Sequence, residues 1–273
     1  MSSINSISVD KLTRLVGTPK APIIIDVRTD EDYETDPRLI PGAIRREFSS
    51  AGEWAAEFAG RTAVVVCQAG RKLSQGSAAW LRHAGADADS LEGGFEAWKA
   101  AGLPLVPSSK LPLRDAEGRT LWVTRFRPKV DRIACPWLIR RFVDLSAVFL
   151  FVAPSEVLAA GERFGAAPFD IEGVFWSHRG ERCTFDVMLE ELALETEPLL
   201  RLATIVRGAD TAQPGLAPEA QGLLAISLGL SRMYADDLQQ LEAGIAVYDA
   251  LYRWCRDATD ETHNWPSSKR PNE

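Results

Sequence analysis

The stretch Val64-Val65-Val66-Cys67-Gln68-Ala69-Gly70-Arg71-Lys72-Leu73-Ser74 decides how the rest of the chain is read. Ala63 to Val66 is an apolar run of buried-strand length, and a helical pattern resumes at Ser74 with Ala78, Ala79 and Leu81 on its inner face. Cys67 therefore stands where a strand ends and a loop opens toward a helix. Unpaired backbone N–H groups at a helix start favour an anion in front of them. The same field favours a thiolate over a thiol, and Arg71 and Lys72 add two cations nearby, so the spacing predicts a nucleophilic cysteine. The alternative is a free thiol packed as a small hydrophobe at a strand end.

Working outward, residues 9–16 form a short helical pattern, and Ile23 to Val27 lacks polar alternation, as a strand buried on both faces does. The acidic segment 29–41 is expected to be a solvated loop or short helix, and 51–58 a helix with Trp54 and Phe58 turned inward. Ala86 to Leu91 is a further strand. A helix from Gly94 to Ala101 then ends at Gly102 and Pro104. Alternating strands and helices predict a doubly wound parallel α/β sheet with helices on both faces.

These pieces resemble the rhodanese-like family, in which a strand delivers Cys to a six-residue cradle, C-x-x-G-x-R, ahead of a helix. Asp26-Val27-Arg28, Ile40-Pro41-Gly42-Ala43 and Leu91-Glu92-Gly93-Gly94 with Trp98 match in order, over about residues 5–106. Lys72 stands where the family often has Arg, keeping the charge without the planar fork, and Leu39 where many members carry His. The resemblance implies sulfur transfer through a Cys67 persulfide. Gln68, Ala69, Gly70, Arg71, Lys72 and Arg28 would bind the donor. Neither a metal nor another cofactor is needed for that chemistry. A phosphatase or arsenate reductase on the same cradle is a third option, but those loops are typically one residue longer than Cys67–Lys72.

Composition limits the alternatives. The chain has 273 residues, 46% of them hydrophobic, which suits two packed domains. No apolar run approaches the ~18 residues of a membrane span. The first residues offer no basic or apolar leader pattern, and Cys67, Cys135, Cys183 and Cys255 form no C-x-x-C pair, so a reducing cytoplasm is expected. A net charge of −7 argues against nucleic acid as a partner.

Segment 103–118, rich in Pro and Ser, is expected to join two domains. The expected layout is 5–108 for the first domain, 109–118 for the linker, 119–258 for the second and 259–273 for a polar tail. The second domain is expected to be mostly helical α+β. Strands are placed at 120–124, 147–152 and 173–177. Helices follow at Pro136 to Asp144 (with Pro136 in the first turn), 154–164, 185–194, 198–207, 218–234 and 236–257. Between Arg119 and Arg141 seven basic residues face one acid, Asp131.

The run Arg125 to Phe142, with Ser177-His178, 206–211, 216–220, 229–232 and 248–252, is similar to the C-terminal domain of the chromate-resistance protein B (ChrB) family. That family usually carries an N-terminal part linked to transcriptional control. Here a rhodanese-like segment takes its place. The resemblance brings oxyanions to mind as ligands: Arg127, Arg132 and Arg140 would grip chromate or sulfate if they converge, and otherwise pair with the domain's acids. The expectation is thus a sulfurtransferase with a small anionic sulfur donor and a thiol acceptor. The alternative is an oxyanion-sensing protein with an accessory rhodanese-like domain. His178, Glu181, Cys183 and Asp186 lie close in sequence, with Asp236 and Asp237 as further oxygen donors. No two histidines share ligand spacing, so no metal is predicted, and His178 is the first residue to test.

Overall fold

The computed structural model describes residues 5–261. The elements of the first region are β1 (Ser6–Ile7), α1 (Val9–Leu15), β2 (Ile23–Asp26), α2 (Asp30–Thr35), β3 (Arg38–Leu39), β4 (Ala43–Arg45), α3 (Ala51–Trp54), β5 (Thr62–Val66), α4 (Lys72–His83), β6 (Asp87–Leu91), α5 (Gly94–Ala100) and β7 (Val106–Pro107). Five parallel strands lie in the order β1-β6-β5-β2-β4, and β3 pairs antiparallel with β7.

Alternation along the central strands sends side chains to two cores. Ile24, Val64 and Val66 pack with Leu12, Phe95 and Trp98 on the α1 and α5 side. Ile23, Ile25, Ala63 and Val65 pack with Trp54, Phe58, Ala78 and Leu81 on the α3 and α4 side. Both faces are therefore covered, as the unbroken apolar runs predict.

The second region adds β8 (Leu121–Arg125), α6 (Asp131–Phe142), β9 (Val148–Val152), α7 (Val157–Phe164), β10 (Ala167–Pro168), α8 (Thr184–Glu191), α9 (Glu197–Asp210), α10 (Glu219–Met233) and α11 (Asp237–Asp257). Its small parallel sheet has the order β10-β8-β9. This is the helix-rich α+β architecture expected.

One hydrophobic cluster runs from Leu12, Phe95 and Trp98 into Trp137, Phe142 and Tyr252, so the two regions share a core. The Gly42 N–H donates to the Phe142 carbonyl (2.6 Å). Segment 109–118 is tied down as well. Arg114 bridges to Thr120, and buried Asp144 accepts from the Thr120 N–H (2.6 Å) and hydroxyl (2.8 Å). No helix among the described residues is long and apolar enough to cross a membrane.

Several local expectations are corrected. Helix α4 begins at Lys72, two residues early, and its inner face carries Ser74, Ser77, Ala78 and Leu81, whereas Ala79 is exposed. Segment 55–58 tightens into a 3-10 turn after α3. Helix α6 starts at Asp131, which puts Pro136 in its interior, where it supplies no N–H to the Arg132 carbonyl. Residues 173–177 form no strand, only a loop with a single bridge between Trp176 and Phe169. The expected tail lies outside the described residues from position 262 onward.

Candidate functional site

Strand β5 delivers Cys67 to a loop closed by Arg71, the residue capping α4. The Arg71 N–H donates to Cys67 Sγ at 3.3 Å, and the Ser74 hydroxyl lies 3.2 Å from the sulfur while donating to the Arg71 carbonyl at 3.1 Å. The loop is held from behind. At the start of α5 the N–H groups of Phe95 and Glu96 donate to the carbonyls of Cys67 and Gln68, both at 3.0 Å. With these carbonyls held at the back, the Arg71 N–H points at the sulfur, the kind of donor an anion needs.

Two glycines permit this contact. Gly70 has φ +64, and a Cβ there would lie 2.4 Å from the Leu91 carbonyl and 2.6 Å from Gly94 N. Gly94 has φ +61, and its Cβ would lie 2.2 Å from the Cys67 carbonyl. Gln68, Ala69 and Gly70 are half-buried, and Arg71 and Lys72 are exposed. The structure thus brings Cys67 and residues 68–72 together and adds Ser74, which sequence reasoning missed. A hydroxyl one helical turn past the loop was the available signal.

Arg28 is a correction. It is 1% exposed and binds Asp26 through Nε and Nη2 (2.9 and 2.7 Å), with its remaining donors on the carbonyls of Asp36 and Arg38. Its guanidinium lies over the Phe95 ring, 3.8 Å from the centroid. It is a buried strut beneath α2 and β3 and does not face the donor site.

The three arginines expected to share an oxyanion do not converge. Arg127 bonds the carbonyls of Ser231 and Tyr234, and Arg140 pairs with Glu242. Only Arg132 approaches a cluster of acids, with Nε 3.2 Å from Asp170. The i, i+4 pair Trp137 and Arg141 meets one acceptor, Asp249, at 2.9 and 2.7 Å.

His178 is gathered into a site, but not by its sequence neighbours. Cys183 caps α8, Asp186 accepts from the Cys183 N–H and binds Arg207, Asp236 caps α11, and Asp237 accepts from the Arg127 N–H. Instead, His178 Nε2 lies 3.4 Å from Asp131 Oδ2, 3.3 Å from Asp170 Oδ1 and 3.3 Å from Asp210 Oδ2. Three separate segments contribute: the start of α6, the loop between β10 and α8, which carries both Asp170 and His178, and the end of α9. The first turn of α8 orients two of the acids, since the Thr184 N–H donates to Asp131 Oδ2 (2.7 Å) and its hydroxyl to Asp170 Oδ1 (2.9 Å).

The backbone is bent to hold this arrangement. Val130 has φ 34 and Asp170 φ 53, both unusual for residues with a Cβ. The Val130 N–H binds the Ser227 hydroxyl (2.9 Å), and its carbonyl accepts from the Tyr248 hydroxyl (2.9 Å). Burial raises the Asp131 carboxyl, with the nearby Asp210 and Asp170 charges adding to it. Burial also opposes ionisation of Asp170, but the bonds from His178 and Thr184 and the charges of Arg132 and Arg125 leave it lowered. Contact with Asp131, then Asp170 and Asp210, pushes His178 up to about 12. Such a group of carboxylates with one imidazole is able to hold a cation.

Comparison with known proteins divides the chain as its two parallel sheets do. Residues 8–101 match the rhodanese-like domain and residues 122–255 match the ChrB C-terminal domain. Protein ChrB of Cupriavidus metallidurans is 34% identical over 160 residues, 55% of this chain and 46% of that protein, so the chain spans less than half the length of this curated relative. Among solved structures, a rhodanese-like domain protein from Staphylococcus aureus is 32% identical, covering 35% of this chain and 91% of that one (TM-score 0.31). A rhodanese-related protein from Thermoplasma volcanium is 25% identical, covering 38% and 99% (TM-score 0.34). Thiosulfate sulfurtransferase from Pseudomonas aeruginosa is 26% identical, covering 37% and 19% (TM-score 0.31). The chain thus matches a rhodanese-like domain over its first region and a ChrB C-terminal domain over its second, with one hydrophobic core continuous between them.

Proposed function

We propose that the protein is a sulfurtransferase that carries sulfane sulfur on Cys67, in the chromate-resistance setting suggested by its ChrB-type second domain. The observation that carries this reading is the Arg71 N–H aimed at Cys67 Sγ from the start of α4, in a loop whose carbonyls are drawn away. A thiolate, and after it a persulfide anion, is stabilised by such donors. In the first half-reaction the Cys67 thiolate attacks the outer sulfur of thiosulfate. The new S–S bond forms as the old one breaks, and its electron pair leaves on sulfite. In the second, a thiolate or cyanide takes the terminal sulfur, returning the electron pair to Cys67. No external oxidant or reductant is needed.

Arg71 and Lys72, exposed beside the loop, attract the anionic donor. Cys67 is only 4% exposed, so the sulfur is approached through the loop mouth and a small donor fits the reading best. With thiosulfate and cyanide, wild type is expected to form thiocyanate and Cys67→Ser none, with circular dichroism unchanged. Equal rates in the two proteins would reject the proposal.

A further inference from the structure

We propose that Asp131, Asp170 and His178 bind a divalent first-row metal ion in the second domain. The geometry around His178 is the starting point. An imidazole Nε2–H is one proton and satisfies one acceptor well, yet carboxylate oxygens from three segments lie at 3.3, 3.3 and 3.4 Å. All three distances exceed the ~2.7–2.9 Å of a charge-assisted N–H···O bond. Atoms held about 2.1 Å from a common centre are separated by roughly 3.4 Å in a tetrahedron and roughly 3.0 Å between neighbours in an octahedron. The spacing therefore suits groups converging on a shared ion better than a donor choosing among acceptors. One ligand atom each from Asp131, Asp170 and His178 fall within 4.8 Å of one another.

A second observation is independent of that spacing. Asp131 is 0% exposed, and its Oδ1 is buried with no hydrogen-bond partner among the described residues. A buried carboxylate oxygen left unpaired is costly. A cation bound through both Asp131 oxygens would supply the missing partner. The other oxygens are already braced, by Thr184 on Asp131 and Asp170 and by Arg132 on Asp170, in the manner of groups that orient metal ligands.

Entry is open. A groove of about 550 Å³ is lined by Asp170, Ser177 and His178, with the His178 side chain 40% exposed at its floor. Oxygen ligands with one imidazole and no thiolate favour the manganese-to-zinc group over copper(I) or an iron–sulfur cluster.

The test uses the full chain, stripped with a chelator and titrated separately with Mn²⁺ and Zn²⁺ by calorimetry, with bound metal measured after gel filtration. Wild type is expected to bind about one equivalent of at least one of the two and to melt at a higher temperature when loaded. His178→Gln and Asp170→Asn should each weaken binding by at least about ten-fold and remove the melting shift. Glu172→Gln, an exposed acid on the groove wall, should bind as wild type. Less than about a tenth of an equivalent on wild type, or equal binding by His178→Gln and wild type, would overturn the proposal. Loss of binding in Glu172→Gln alone would place the metal on the rim and overturn the proposal as well. The His178 side chain is 40% exposed, against 1% for Asp131 and 7% for Asp170, so a folded His178→Gln protein keeps the test decisive if an Asp variant misfolds.

Discussion

The contact that sets the Cys67 loop is the close approach of Gly94, and replacing it is the sharpest test of how the loop is held. In Gly94→Ala, a Cβ would lie 2.2 Å from the Cys67 carbonyl, 2.4 Å from Gly70 N and 2.8 Å from the Gln68 carbonyl, all of them backbone atoms. None can rotate aside, so the loop and the start of α5 must part by roughly 1 Å to reach ordinary contact. That separation weakens the bonds from Phe95 and Glu96 to the Cys67 and Gln68 carbonyls, each worth about 0.5–1.5 kcal/mol. The residue at φ +61 adds about 1–2 kcal/mol of its own. A loss of about 2–5 kcal/mol is therefore expected by urea unfolding. Sulfur transfer should fall on the order of 100-fold, the usual consequence of a 1 Å shift in a reacting group. Gly76→Ala is the matched control, since Gly76 sits inside α4 with nothing within 4 Å of a new Cβ. It should gain about 0.5–1 kcal/mol. A Gly94→Ala protein within about 0.5 kcal/mol of wild type would refute this account of the loop.

Two further outcomes follow from buried charge. Arg28→Gln leaves Asp26 without its bidentate partner in a sealed site, so stability should fall by about 3–5 kcal/mol, measured by chemical unfolding; a change under about 1 kcal/mol would mean that Arg28 is not a structural strut. Asp36 is held well below the usual carboxylate range, mainly by its bond to Arg38 and further by Lys99, against the opposing effect of burial. A lowered folded value stabilises the protein above the unfolded value near 3.8 and is lost as pH falls through that value toward the lower folded one. Wild type should therefore exceed Asp36→Asn in stability at neutral pH, and the gap should close on acidification; a gap independent of pH would contradict the assignment.

The Cys67 loop was legible because its parts are local: a strand end, a glycine, two cations and a helix start lie within a few consecutive residues. Arg28 illustrates the limit of reading by residue type. Asp26 and Arg28 are two apart in extended chain, so they share a face and reach each other, a pattern that points to a salt bridge as readily as to a ligand. Arg132 and Arg140, eight positions apart, are separated by roughly 12 Å along a helix, which already argues against a shared tetrahedral anion. Pro136 suggested a first turn, but Val130, in its unusual backbone conformation, starts α6 earlier and sets Asp131 at its mouth.

The His178 cluster was not legible beyond His178 itself, because its acids come from distant segments and only the packing of α6, α8 and α9 assembles them. That packing belongs to the core that also covers the α1 and α5 side of the first sheet. The same α5 whose N-terminal amides hold the Cys67 loop is thus pressed, on its apolar face, against the body that carries His178. The two sites are built on one continuous interior, to which Trp98 and Phe142 both belong.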